Sequence, residues 1–186
     1  MGCQKKVTDE TPVNVKSFFS YDSLLIAAKV LLHADNGIVL TGNFKGDTTR
    51  QAAAVIEVDK KNEKISFNLI EIKNNTLEKK DETKPLDGSL KECKIEKINL
   101  PGFPNDLIYY NSQIYFMGSS SGEVFSYIID FKSQKTYYAH MVSEPRKPEF
   151  LYISDPGNQE IRKYFIDVFG KDYPSFKLTA SDKVLN

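Results

Sequence analysis

Tryptophan is missing from this chain of 186 residues, cysteine occurs twice, and only three of the 25 basic residues are arginines, Arg50, Arg146 and Arg162. Each shortage removes a class of protein. Cys3 and Cys93 are too few for a disulfide-dense scaffold, and with His33 and His140 they lack the ligand spacing of a zinc site. Basic and acidic residues balance at 25 each, with no arginine-rich stripe of the kind that tracks a phosphate backbone, so no nucleic-acid partner is expected. The longest strongly apolar run, Leu24 to Leu32, has nine residues and includes Lys29, well short of the roughly 20 needed to span a bilayer. Neither a metal nor a cofactor is expected.

What is present favours β structure. Apolar residues make up 40% and aromatics 12% of the chain, which excludes a wholly disordered protein. The 12 Phe and 10 Tyr suit strands and cluster after Leu100. Val13, Val15 and Phe18-Phe19 read as a short strand. Leu24 to Leu32 reads either as a helix, with Asp22 as N-cap and Asn36-Gly37 as stop, or as a strand entering a hairpin at Asp35-Asn36-Gly37. Ala52 to Asp59 and Lys64 to Ile72 read as a hairpin around Lys60 to Glu63. Leu107 to Tyr110, Gln113 to Gly118, Val124 to Asp130 and Thr136 to Met141 read as a four-stranded meander, with turns at Asn111-Ser112, Ser119 to Gly122 and Lys132 to Lys135. Phe150 to Ile153 follows Pro145 and Pro148. The segment 73–94 is rich in Lys and Glu and reads as a polar loop or insertion, and its Asn74-Asn75-Thr76 matches a glycosylation sequon. The organisation expected is a tether over 1–11 and one β-rich domain over 12–186.

The chain also repeats itself. Ile114 to Asp130 aligns without gaps onto Leu151 to Asp167 at an offset of 37 residues, pairing Tyr115 with Tyr152, Glu123 with Glu160, Tyr127 with Tyr164, Ile129 with Ile166 and Asp130 with Asp167. Ile38 to Asp59 fits the same template with an insertion, and the segment from Asp59 to Lys64 echoes that from Asp130 to Lys135. Leu151-Tyr152-Ile153-Ser154-Asp155, then Gly157-Asn158, then Ile161-Arg162-Lys163-Tyr164, resembles the blade motif of NHL-type propellers. A period near 40 residues is typical of such blades. The resemblance implies antiparallel β-meander repeats, arranged as propeller-like blades or as a sandwich. A competing pattern runs through the same residues: Ile161, Tyr164, Phe165, Val168 and Phe169 recur at helical spacing after Asp155-Pro156, with Gly170 as a stop. The fold expected is mainly β, the alternative being α+β with helices near 23–33 and 158–169.

Met1-Gly2-Cys3-Gln4-Lys5-Lys6 resembles the processing site of bacterial lipoproteins. The resemblance implies that Cys3 is the lipid attachment site, that the residues after it form a tether, and that the protein sits at the cell envelope, periplasmic or surface, held to the membrane by its lipid anchor only. The same residues resemble a myristoylation site, with Gly2 acylated and Cys3 palmitoylated, although Lys6 stands where Ser or Thr is usual. They also read as an ordinary polar tail.

No catalytic motif stands out. His33 and His140 lack a nucleophile in motif context, Ser119-Ser120-Ser121-Gly122 lacks the setting of a nucleophile elbow, and Asp59, Asp130 and Asp167 at strand ends read as turn caps. Glu144, Arg146 and Glu149 read as a solvated rim. The candidate binding surface is a set of tyrosines on neighbouring strands: Tyr109, Tyr110, Tyr115, Tyr127, Tyr137, Tyr138 and Tyr152. The function expected is a non-catalytic binding or assembly lipoprotein with a protein or glycan ligand. The alternative is a soluble cytoplasmic immunity or adaptor protein that binds one protein partner.

Overall fold

The computed structural model describes residues 13–14, 20–115, 121–144, 146–147, 149–155 and 157–178. In chain order these form β1 (Val13–Asn14), α1 (Tyr21–Leu31), β2 (Gly37–Gly42), β3 (Arg50–Asp59), β4 (Lys64–Lys73), β5 (Thr76–Glu82), β6 (Leu86–Asp87), β7 (Cys93–Ile98), β8 (Leu107–Tyr115), β9 (Gly122–Asp130), β10 (Lys135–Ser143), β11 (Phe150–Ile153), α2 (Gln159–Asp172) and β12 (Lys177–Leu178). The first sheet runs β1-β5-β4-β3-β2, with β6 pairing β4; the second runs β12-β11-β10-β9-β8-β7. All pairings are antiparallel except β11 with β12.

The fold is mainly β, with 49% of the described residues in strands and 17% in helices. Both helices of the α+β alternative are nonetheless present. Each sheet keeps its two edges, so among the described residues there is neither a closed barrel nor a propeller. The arrangement is a sandwich with a helix on each outer face.

Three buried clusters account for these layers. Between the sheets, Phe44, Ala53, Val55, Ile65, Phe67 and Leu69 meet Ile108, Tyr110, Tyr127, Ile129 and Phe131. On the far side of the first sheet, Leu24, Ala27, Ala28 and Leu31 of α1 lie on Val39, Ala52, Ala54, Ile70, Ile72 and Leu77. On the far side of the second, Ile161, Phe165 and Phe169 of α2 lie on Tyr109, Ile128, Tyr137, Met141, Leu151 and their neighbours. A sheet covered on both faces buries successive residues, not alternate ones, which is why Gln51 to Ile56 and Ile65 to Ile70 are continuously buried. The alanines at 27, 28, 52 and 54 keep α1 and β3 slender where they touch, so the helix lies close to the sheet.

Local chemistry sets the element ends. Ser20 caps α1, its hydroxyl accepting the Ser23 N–H at 3.2 Å, in place of the expected Asp22. Asn158 caps α2 by accepting from the Ile161 N–H at 3.1 Å. That helix runs through Gly170 to Asp172, so Gly170 is not its stop. The turns after β3 and β9 are built alike. Asp59 Oδ1 accepts from the N–H groups of Lys61 and Asn62, both at 3.0 Å; Asp130 Oδ1 accepts from those of Lys132 (3.0 Å) and Ser133 (3.3 Å). Glu63 and Gln134 then take positive φ before the next strand. The echo between these two segments is a shared turn chemistry.

Three expectations are corrected. The copy from Leu151 to Asp167 is not a third meander unit: it lies across β11 and α2, and Glu160, Tyr164, Ile166 and Asp167 are helical. Ile161, Phe165 and Phe169, about one helical turn apart, lie on one helix face and are buried against the second sheet. The polar segment 73–94 is not a loop, for it contains β5, β6 and the start of β7. Asn74 and Asn75, both at positive φ, make the tight β4–β5 turn, and Leu77 alone seats β5 under α1. Gly88, in the crossover between sheets, lies so close to the Tyr110 hydroxyl that a Cβ would collide with it. Finally, Asn111-Ser112 is not a turn. β8 continues through it because both side chains find partners, one on each face of the sheet: Asn111 Nδ2 donates to Ser126 Oγ at 2.6 Å, and Ser112 Oγ accepts the Ser89 N–H at 3.3 Å.

A polar clamp fixes one sheet to the other. Asn105, buried ahead of β8, places its Nδ2 at 3.2 Å from the Phe44 carbonyl and 3.0 Å from Asp130 Oδ1. Next to it, Asp106 accepts the Asn43 N–H (2.8 Å) and the Asn99 amide (2.6 Å), with Lys97 Nζ at 3.3 Å. Asp81 of β5 receives both Lys45 Nζ and Gln134 Nε2 at 3.2 Å. Partial burial pushes the Asp106 carboxyl up, but its donors outweigh that and hold it below the ordinary value. The charged carboxylate is therefore favoured by folding, and its contribution is lost as the pH falls through the lowered native value.

Two outcomes follow. Phe165→Ala should cost about 3–5 kcal/mol in urea unfolding, while Lys163→Ala on the exposed side of α2 should stay within about 0.5 kcal/mol. Asp106→Asn should lower stability by roughly 1–3 kcal/mol at neutral pH, and the gap to the native protein should narrow below about pH 4. A gap independent of pH would remove the carboxylate from the clamp.

Candidate binding face

The inward face of the second sheet is laid out in rows by strand register. Tyr110, Tyr127 and Tyr138 stand opposite one another across β8, β9 and β10. The next row is Ser112, Phe125, His140 and Tyr152, and the last is Ile114, Glu123, Val142 and Phe150, with Lys177 of β12 opposite Phe150. The first row meets the other sheet, where Phe67 packs edge-on to Tyr110 at 5.6 Å and Tyr127 stacks on Tyr110 at 6.0 Å. Cover falls away along the strands. Val142 is 36% exposed and Phe150 47%, although the two are cross-strand neighbours on a face that is core further along.

His140 sits in the middle row, its ring stacked on Phe125 at 4.8 Å and 18°. Its Nε2 lies 3.4 Å from Glu123 Oε2, yet that nitrogen is buried and makes no hydrogen bond. Tyr138 and Tyr152 pack together at 5.6 Å beside it. The face thus joins rings and an aliphatic ridge to one imidazole and one carboxylate. Such a surface suits recognition of an apolar or aromatic segment carrying a polar group.

The tyrosine set singled out from sequence does not form one exposed surface. Tyr109 and Tyr137 point the other way, toward α2, where Tyr109 meets Tyr164 at 5.2 Å and Tyr137 meets Phe103 at 6.5 Å. Tyr110 and Tyr127 are sealed between the sheets, and Tyr152 is also buried. Burial pushes the Tyr109 phenol up to about 12 and raises those of Tyr110 and Tyr127 further. Only Tyr138 is partly exposed among those whose side chains are described. The reason is strand geometry, since neighbours such as 109 and 110, or 137 and 138, must face opposite sides. The Tyr115 side chain, Ser119, Ser120 and Cys3 lie outside the described residues. Phe125, Val142 and Phe150 were missed. Counting every second residue from Tyr138 reaches His140 and Val142, but Phe125 and Phe150 join them only through cross-strand register.

Several other charged groups hold turns and the clamp. Asp59 and Asp130 cap turns as expected, whereas Asp167 lies within α2. His33 is exposed beyond α1, with φ of 50°. At the rim, Glu144 pairs with Lys147, and Glu149 accepts from Ser143 Oγ at 3.1 Å. A cavity of about 410 Å³ beside β5 and β6 is lined by Asp81 and Asp130, both already engaged in the clamp and its turn. Among the described residues, no three His, Cys, Asp or Glu side chains gather as a metal site. No protein-family model matches the chain, and no curated protein or solved structure matches it either.

A buried nitrogen without a hydrogen bond weakens the fold, so His140→Phe, which keeps the ring on Phe125, should leave stability unchanged or raise it by up to about 1 kcal/mol. A loss larger than that in urea unfolding would make His140 structural and not part of a recognition surface.

Proposed function

We propose that this chain is a non-catalytic binding or assembly protein of the bacterial cell envelope, tethered through lipid on Cys3, with the outer row of the second sheet as its recognition face. The observation that carries the binding part is the Val142–Phe150 pair, held at 36% and 47% exposure on a sheet face that elsewhere forms the core. Isolated exposed apolar residues are ordinary, but this pair continues directly from the ring cluster of Phe125, His140, Tyr138 and Tyr152. Aromatic anchors beside a charged rim are what a protein partner needs, and Glu123 and Lys177 supply that rim. The envelope part rests on the Gly2-Cys3 pair and the polar residues after it.

The test has two arms in the native host. Intact mass should show acyl chains on Cys3, and an unmodified cysteine there would sink the anchor. A photocrosslinking residue at Phe150 should give one discrete protein adduct that the same probe at Lys163 does not; equal labelling at both positions would remove the face from consideration.

A further inference from the structure

The outer strands of the two sheets are not equally protected. β1 and β12 have two residues each, and β7 carries Lys94, Glu96 and Lys97. Short or charged edges of this kind discourage pairing with another chain. β2 is different. Its six residues, Gly37–Gly42, include no charge and no proline, and their register with β3 has no bulge. Among the described residues β2 pairs with β3 alone, and no further backbone hydrogen bond reaches it. The backbone groups of alternate residues along it therefore point outward unpaired.

Two cavities run along that open side. One, of about 520 Å³, is lined by Val39 and Thr41 on the α1 face of β2, by Leu40 on the opposite face, and by Tyr21 and Leu24 of α1. A space that touches both faces of an edge strand passes around its unpaired side. Arg50 and Lys97 also line it, but both already have partners. The other cavity, of about 280 Å³, lies at the start of β2, against Gly37, Ile38 and Leu90. Lys60 and Lys91 also line it, and neither forms an ion pair among the described residues. The one carboxylate there, that of Glu57, accepts from Asn36 Nδ2 at 3.2 Å.

We propose that β2 accepts an extended segment of a partner protein as a further strand of the first sheet. The segment's backbone pairs with the outward N–H and C=O groups of Gly37–Gly42, and its alternate side chains turn to opposite faces. An apolar side chain on the α1 face enters the larger cavity, over Leu24 and Val39. An acidic residue at the other end meets Lys60 and Lys91. That charge argues for a foreign segment over a second copy of the chain. An antiparallel β2 from another copy would set its own Gly42 and Asn43 opposite that end, and neither is acidic. This surface belongs to the first sheet and is independent of the Phe150 row.

The test uses the full chain and a short synthetic peptide of alternating valine and threonine with an aspartate at each end. At millimolar peptide, amide hydrogen exchange should slow across Gly37–Gly42 and stay unchanged in β7, the edge of the other sheet. Methylating alternate backbone nitrogens of the peptide removes its strand-forming donors and should abolish that protection. Lys60→Glu with Lys91→Glu, both exposed, should weaken binding about tenfold and favour a peptide with lysine in place of aspartate. Phe150→Ser should leave binding unchanged. No protection at β2, equal binding by the methylated peptide, or full binding by the charge-reversed variant would overturn the proposal. So would protection of the same amides that grows with protein concentration and needs no peptide, which would assign the edge to a second copy of the chain.

Discussion

Everything in this molecule depends on the contact between the two sheets. Phe44, Phe67, Tyr110, Tyr127 and Phe131 fill the space between them. Once that contact forms, each sheet has one face left to cover, and the chain supplies a helix for each: α1 before the first meander and α2 after the second. A chain of this size can bury enough surface for one such core, and splitting it into separately stable halves would leave each half with an uncovered sheet face. The helices are consequences of the sandwich and not independent additions.

Burying two sheets together brings backbone ends and charged turns into the interior, and these need partners. Asn105, Asp106 and Asp130 meet that need at one end, tying the residues ahead of β8 to the loop after β2 and to the β9–β10 turn. Asp81 adds a link from β5 to Lys45 and Gln134. The clamp and the aromatic layer act in concert, since the clamp fixes how the sheets are placed and the aromatics make that placement favourable.

The open row at the other end of the second sheet is set by strand length. β9 and β10 run nine residues each, while β11 has four, and cover over the inward face gives out toward Val142 and Phe150. Exposure at that end and on the outer side of α1 gives the molecule two apolar surfaces on different layers.

From the amino-acid order alone came what depends on near neighbours: the β3–β4 hairpin, the β9–β10 hairpin, the strand from Phe150 to Ile153, the aspartate caps at 59 and 130, and both helices as alternatives. These are local because a turn aspartate or an i, i+4 apolar pair acts within a few residues of itself. Only the tertiary structure decided the rest. It made Leu24 to Leu31 a helix because an open sheet face was there to receive it, and it turned the polar segment after Lys73 into a strand of the first sheet, with Leu77 reaching the core. It resolved the apparent third repeat into α2, since Ile161, Phe165 and Phe169 found the outer face of the second sheet. It also divided the tyrosines between two sides of one sheet and brought Phe125, His140 and Phe150 into one face. Strand composition states which residues suit a sheet, but register and the covering of each face come from contacts far apart in the chain.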